Sequence, residues 1–377
     1  MRKAYFVCPL LLCAITAFAQ NNFVYTNDNF SPNTVSAFKV SPSTGALTLV
    51  PGSPFLTGGN GGARDVSPET ITTATQGTHG FLYAANGSSG TISAFAIDPK
   101  TGTLAAVSGS PFVAGTPSSN TTISLGASPD GRFLFEVDES STLIRTFNIA
   151  ASGALAEAAG SPFDSGAFPE GVKVSANGKF LAVGLKSIDA VGVYAIDASG
   201  SLTPVFGSPF LTNGPADAVD ITCANNRVFV SSAGSNLIDA FAMAADGSLT
   251  PVAGSPFPSG GTSTINALTL TPGNQDLLTS NVFNETVSSL AVGVDGSLQP
   301  VPGSPFAATD WVGSISTTRS GKFVYTSLFA RAAVDGWMIG DDGTLRPVPG
   351  RPFSTGQAGA GVQALTTFPA PSCSATP

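Results

Sequence analysis

The sequence predicts an all-β chain, folded as a seven-bladed β-propeller of four-stranded antiparallel blades. Three observations carry this: a tetrapeptide that recurs at a nearly fixed period, a four-strand pattern in each period, and prolines confined to one strand of the four. The tetrapeptide Gly-Ser-Pro-Phe begins at Gly52, Gly109, Gly160, Gly207, Gly254 and Gly303, and a Gly-Arg-Pro-Phe variant begins at Gly350. The intervals are 57, 51, 47, 47, 49 and 47 residues. A period of this length marks a repeat architecture.

Within residues 169–210 the pattern reads as four strands. Val172 to Val174 is a short alternating run, Lys179 to Gly184 a second strand, Ala190 to Ile196 a third and Ser201 to Val205 a fourth. The turns between them hold Asn177-Gly178 and Ser199-Gly200, steps that favour tight hairpins. Equivalent second strands recur as FVYTN at Phe23, FLYAAN at Phe81 and KFVYTS at Lys322. Equivalent third strands include TISAFAI at Thr91 and LIDAFAM at Leu237.

Pro204, Pro251, Pro300 and Pro347 hold one equivalent position in the fourth strand. Proline has no N–H to give a ladder, so this strand is expected at the outer edge of each blade. The Gly-Ser-Pro-Phe corner is then expected to end the outer strand and join one blade to the next, its Phe wedged between sheets. Closure of the ring is expected at the chain ends. The N-terminal strands from Phe23 lack an inner partner, and Gly361 to Phe368 is an inner strand without a blade.

Composition bounds the rest. Only 11% of the 377 residues are charged while 42% are hydrophobic, against disorder. Arg2 and Lys3, the apolar run from Ala4 to Ala17 and Ala17-Phe18-Ala19 form the layout of a secretory signal peptide. The expected division is therefore a signal peptide at 1–19, a propeller at 20–369 and a tail at 370–377, with a secreted or periplasmic mature chain. Its loss takes Arg2 and Lys3, and the formal charge falls from −8 to −10. Such an acidic surface disfavours nucleic acid. No membrane span is expected in the mature chain, which is expected to be a monomer. Cys223 and Cys373 would remain; they could pair, but two unpaired thiols is the reading favoured from sequence.

The motifs SPDGRFLFEVD at Ser128, ANGKFLAVG at Ala176, SGKFVYTS at Ser320 and TISAFAIDPKTGTLAAV at Thr91, with the corners, resemble the 6-phosphogluconolactonase-type propellers of the lactonase family. The resemblance spans about residues 22–369. It implies sugar-lactone hydrolysis or cycloisomerisation at the mouth of the central channel, by histidine, arginine and glutamate at the starts of inner strands. At the corresponding places this sequence has Asn120-Thr121-Thr122-Ile123-Ser124, Pro169-Glu170-Gly171 and Val312-Gly313. The alternative is a non-catalytic propeller that binds a glycan, peptide or protein partner.

Residues expected to rim the mouth are Arg64, Asp65, Asp138, Glu139, Glu170, Asp217, Glu285, Asp310, Trp311 and Arg331. Carboxylates opposite an arginine could bind a sugar or lactone, and the Trp311 indole is a platform for a ring. The single histidine, His79, reads as a solvated turn residue. Gly58 to Gly62 (GGNGG) reads as a flexible connection, lacking the Lys and helix of a phosphate loop. No calcium or zinc ligand spacing is present, and no cofactor is expected.

Overall fold

A computed structural model of the chain describes residues 21–62, 69–115, 123–262, 264–357, 361–371 and 373. The signal-peptide reading and the candidates Arg64 and Asp65 lie outside these residues. Seven antiparallel sheets stand around an axis, each with its strands in sequence order from the centre outward. The exception is the closing blade. Its inner strand is Ala364–Phe368 from the C-terminus, paired over five residues with Phe23–Asn27. We number this blade first and count the others along the chain.

The corner differs from expectation. Each sheet has a fifth, two-residue strand that pairs with the third strand beyond the fourth. In the fifth blade Leu249–Pro251 pairs with 241–243, and Phe257–Pro258 pairs with 237–238 of the same strand. The Gly-Ser-Pro-Phe segment is therefore a loop thrown out from the middle of the outer strand, and the link to the next blade begins after it. The Ser–Pro peptides of these corners are cis.

This placement gives every residue of the corner a task. Looping out would leave one amide of the third strand without a ladder acceptor. The corner serine supplies one: Ser255 Oγ accepts from the Ala240 N–H at 2.9 Å, and Ser53, Ser110, Ser161, Ser208 and Ser304 do the same at 2.9–3.0 Å. The corner glycines have φ of 84–89°, a region that side-chain-bearing residues avoid. Each corner Phe packs, half-buried, on one of seven apolar clusters. Every cluster is shared by two neighbouring blades, so the wedge expected of this residue is present.

The outer prolines fit as expected, since Pro204, Pro251, Pro300 and Pro347 each end the first piece of an outer strand on its exposed side. Blades are also tied by tyrosine. Tyr25, Tyr83 and Tyr325 donate to the carbonyls of Gly102, Gly153 and Gly45, each in the hairpin turn of the next blade.

Two sequence readings are corrected. Cys223 and Cys373 are joined by a disulfide, with Cα atoms 5.2 Å apart, where unpaired thiols were favoured. Cys223 follows the inner strand of the fifth blade, and the tail beyond Phe368 reaches it directly from the closing strand. The GGNGG segment is pinned between blades. Gly59 O accepts from Asn33 N, Gly61 N donates to Phe30 O, and Asn60 N donates to Ser89 Oγ. His79 is exposed, at the start of strand His79–Asn86. Among the described residues no helix is long and apolar enough to cross a membrane, and no cluster of His, Cys, Asp or Glu could hold a metal ion.

Candidate active site at the bulged inner strands

Four consecutive blades share a local irregularity. Their inner strands carry one extra residue at the start, between Pro169 and Val172, Ala216 and Val219, Ile265 and Ala267, and Val312 and Ile315. A bulge re-aims the side chains around it and is favoured at rims and functional sites. The bulged positions hold Glu170, Asp217 and Asn266 in the fourth, fifth and sixth blades, and Gly313-Ser314 in the seventh.

The first three side chains converge on one cavity of about 90 Å³, lined also by Lys186, Thr264 and Phe283. Glu170, Asp217 and Asn266 are each at most 4% exposed. Lys186 Nζ sits 2.6 Å from Glu170 Oε2. The lysine arrives on a short 3-10 turn, Lys186–Ile188, that ends in Asp189 with left-handed backbone. Phe283 comes from the matching turn of the sixth blade, Val282–Asn284, which ends in Glu285 at φ 53°.

The electrostatics separate the two carboxyls. Burial and the Glu170 charge beside it drive the Asp217 carboxyl well above the usual carboxylate range, and a hydrogen bond with Glu170 adds to this. Glu170 carries the ion pair to Lys186, while Asp217 favours a proton. Asp217 Oδ1 and both polar side-chain atoms of Asn266 have no hydrogen-bond partner. Buried polar atoms of this kind ordinarily find one.

A second layer of titratable groups joins Lys173 and Asp220, further along the same strands, to Glu69, which precedes the inner strand of the second blade. Glu69 Oε2 accepts from Val172 N at 2.9 Å, and Lys173 Nζ is 2.9 Å from Asp220 Oδ1. Burial raises the Glu69 carboxyl to about 8, against the opposing effects of the Val172 amide and the Lys173 charge.

The remaining candidates divide. Asp310 and Arg331 do meet, with Nε 2.6 Å from Oδ2, but as an exposed pair outside the cavity lining. Trp311 packs edge-on against Phe283, ring centroids 5.5 Å apart, and so braces a residue of the cavity wall. Asp138 is buried and caps the Ser140 amide. Glu139 lines a neighbouring cavity with Lys186. Lys186, Asn266 and Phe283 were not singled out from sequence. Comparing the repeats at the inner-strand start offers a signal for Asn266, which stands where Glu170 and Asp217 stand.

The comparisons with known proteins address the family. A model of the lactonase seven-bladed β-propeller matches residues 12–122, 78–216 and 125–348. The chain belongs to the lactonase propeller family. No curated protein matches it. A candidate 6-phosphogluconolactonase from Bacteroides fragilis is similar in fold, with a TM-score of 0.75 at 16% identity over 93% of this chain and 99% of that one. One from Bacteroides uniformis gives 0.72 at 14%, over 92% and 99%. The periplasmic gluconolactonase of Pseudomonas aeruginosa gives 0.62 at 19%, over 76% and 84%. At these identities the structural likeness concerns the fold of this lactonase-family propeller.

Proposed function

We propose that the chain hydrolyses a neutral sugar lactone in the cavity of Glu170, Asp217 and Asn266. The observation that carries this reading is the convergence of three bulged strands on one space, with polar atoms of Asp217 and Asn266 left for a ligand. The Asn266 amide would donate to the lactone carbonyl oxygen, where negative charge develops. Glu170 would take a proton from water as the water oxygen bonds to the carbonyl carbon. Asp217 would pass its proton to the ring oxygen as the acyl C–O bond breaks. The product is the hydroxy acid, and transfer of the proton from Glu170 to Asp217 resets the pair.

The charge of the site supports a neutral substrate. Lys186 is committed to Glu170, and Arg331 to Asp310, so neither offers a free cation for phosphate. We further propose that residues 1–19 direct export and that the mature chain begins at Gln20. The Cys223–Cys373 disulfide suits an oxidising compartment, and the periplasmic location named for the Pseudomonas aeruginosa neighbour agrees with it.

A second reading is a non-catalytic ring that binds a glycan, peptide or protein. It is favoured by the residues at 120–124, 169–171 and 312–313, where histidine and arginine were expected from the family resemblance. The test is proton release from gluconolactone, galactonolactone and 6-phosphogluconolactone by purified residues 20–377. Turnover of the neutral lactones, reduced roughly 100-fold or more by Asp217→Asn and untouched by Arg331→Ala, is the expected result. Folded protein that leaves all three at the uncatalysed rate would overturn hydrolysis for them and leave the second reading.

A further inference from the structure

Lys186 borders two cavities. One is the chamber described above; the other, of about 200 Å³, is lined by Glu139, Phe168, Pro169, Lys186 and Ser187. We infer that the second chamber receives a further sugar ring of the substrate, so that the lactone is the terminal unit of a glycosylated aldonolactone. This inference rests on the lactone reading of the first chamber.

The wall of the second chamber has the chemistry of a pyranose site. Phe168 leaves about half of its surface exposed, beside the chamber that it lines. It is held in place, since its N–H donates to Ser187 Oγ at 3.0 Å and the following Pro169 restricts it to extended backbone. Around this apolar face stand a hydroxyl, a carboxylate and an ammonium, from Ser187, Glu139 and Lys186. A sugar ring has the same division, with C–H groups on its faces and hydroxyls at its edge. An alkyl chain could make no hydrogen bond with these groups, whereas the hydroxyls of a sugar could. A phosphate would meet Glu139 and a lysine already bound to Glu170.

Lys186 lines both chambers, which places them side by side as two linked rings of one substrate require. The reaction that supplies such a molecule must oxidise the reducing end of a disaccharide or longer glycan to a lactone.

The experiment is calorimetric binding of gluconolactam and cellobionolactam, neutral rings that are not lactones, to residues 20–377. Cellobionolactam should bind roughly tenfold more tightly, the scale of one ring-stacking contact. Phe168→Ala should remove that advantage while leaving gluconolactam binding unchanged, and Phe168→Tyr should retain it. Equal affinity for the two lactams would overturn the inference, as would a Phe168→Ala loss shared by both, or tighter binding of δ-decalactone than of cellobionolactam. Because the readout is binding, preference for cellobionolactam without lactone turnover would sink the hydrolytic reading alone.

Discussion

Arg351 Nη1 donates to Asp335 Oδ2 at 3.0 Å, and this pair does for the seventh corner what a serine hydroxyl does for the other six. With arginine in the serine position, the Gly336 amide is capped by Asp335 Oδ1 at 2.9 Å. The Asp335 side chain is fully buried and that of Arg351 is 13% exposed. Arg351→Ala should therefore destabilise the fold by about 1–3 kcal/mol, because the buried carboxylate loses its cation and keeps only the bonds from Thr309 and Gly336. The double variant Asp335→Ser, Arg351→Ser, which restores the corner of the other blades, should recover most of that loss in urea unfolding.

At the ordinary corners the expected cost is smaller. Ser255→Ala leaves the Ala240 amide without an acceptor and should cost about 1–3 kcal/mol. Ser255→Thr keeps a hydroxyl and should lie closer to the parent chain by the same measurement.

Lys186→Met would strip the buried Glu170 carboxylate of its ion-pair partner. The carboxylate would then lose the cation that holds it in position to accept a proton from water. Turnover of neutral lactones should fall roughly 100-fold with a lower melting temperature, and Lys186→Arg should restore both in part.

Glu69 sets a pH dependence whose sign follows from its raised carboxyl, at about 8 in the folded chain. Above the unfolded value, near 4.3, the folded state holds a proton that the unfolded state has lost. Stability from this group is therefore fully present below about pH 4 and is lost as pH rises toward 8. The groups facing it are the Val172 amide, Lys173, Asp220 and Glu170. Melting temperature should decline between pH 5 and 8.5, and Glu69→Gln should flatten that decline. An unchanged slope in the variant would assign the decline to other buried carboxyls, such as Asp28 and Asp276, both raised to about 6.

The Cys223–Cys373 bond closes a loop with a sequence separation of 150 residues. Chain entropy sets an upper limit near 5 kcal/mol for a loop of that size. Cys373→Ser, or reduction of the parent chain, should lower the melting temperature, while adding reductant to the variant should change nothing further.

The architecture was legible because it is written seven times. Strand period, turn glycines and edge prolines repeat in register, and the missing inner strand at Phe23 matched the surplus one ending at Phe368. The role of the corner serine was not legible, because it depends on a ladder partner fifteen residues away, and only the pairing shows the outer strand resuming after the corner. The site was half legible. Glu170 and Asp217 stood out as charges in a chain poor in them, whereas Asn266 has no charge and the bulge that aims it changes no composition. Lys186 lies on a turn whose approach to Glu170 depends on how the neighbouring strand bends. The disulfide was illegible for a similar reason, since a separation of 150 residues says nothing about distance once a chain has wound into a ring.

That bond makes the two sides of the ring's seam unequal. The closing sheet is a zipper between the first strand of the chain and the last, and zippers of this kind fray from their free ends. The last strand has no free end: beyond Phe368 the chain is stitched within a few residues to the fifth blade. Residues 223–373 thus form a covalent hoop that takes in the outer strands of the fifth blade, the whole of the sixth and seventh, and the final strand. Opening at this seam would part Phe23–Asn27 from a strand that stays tied to the fifth blade and can serve as the template on which the circle re-forms.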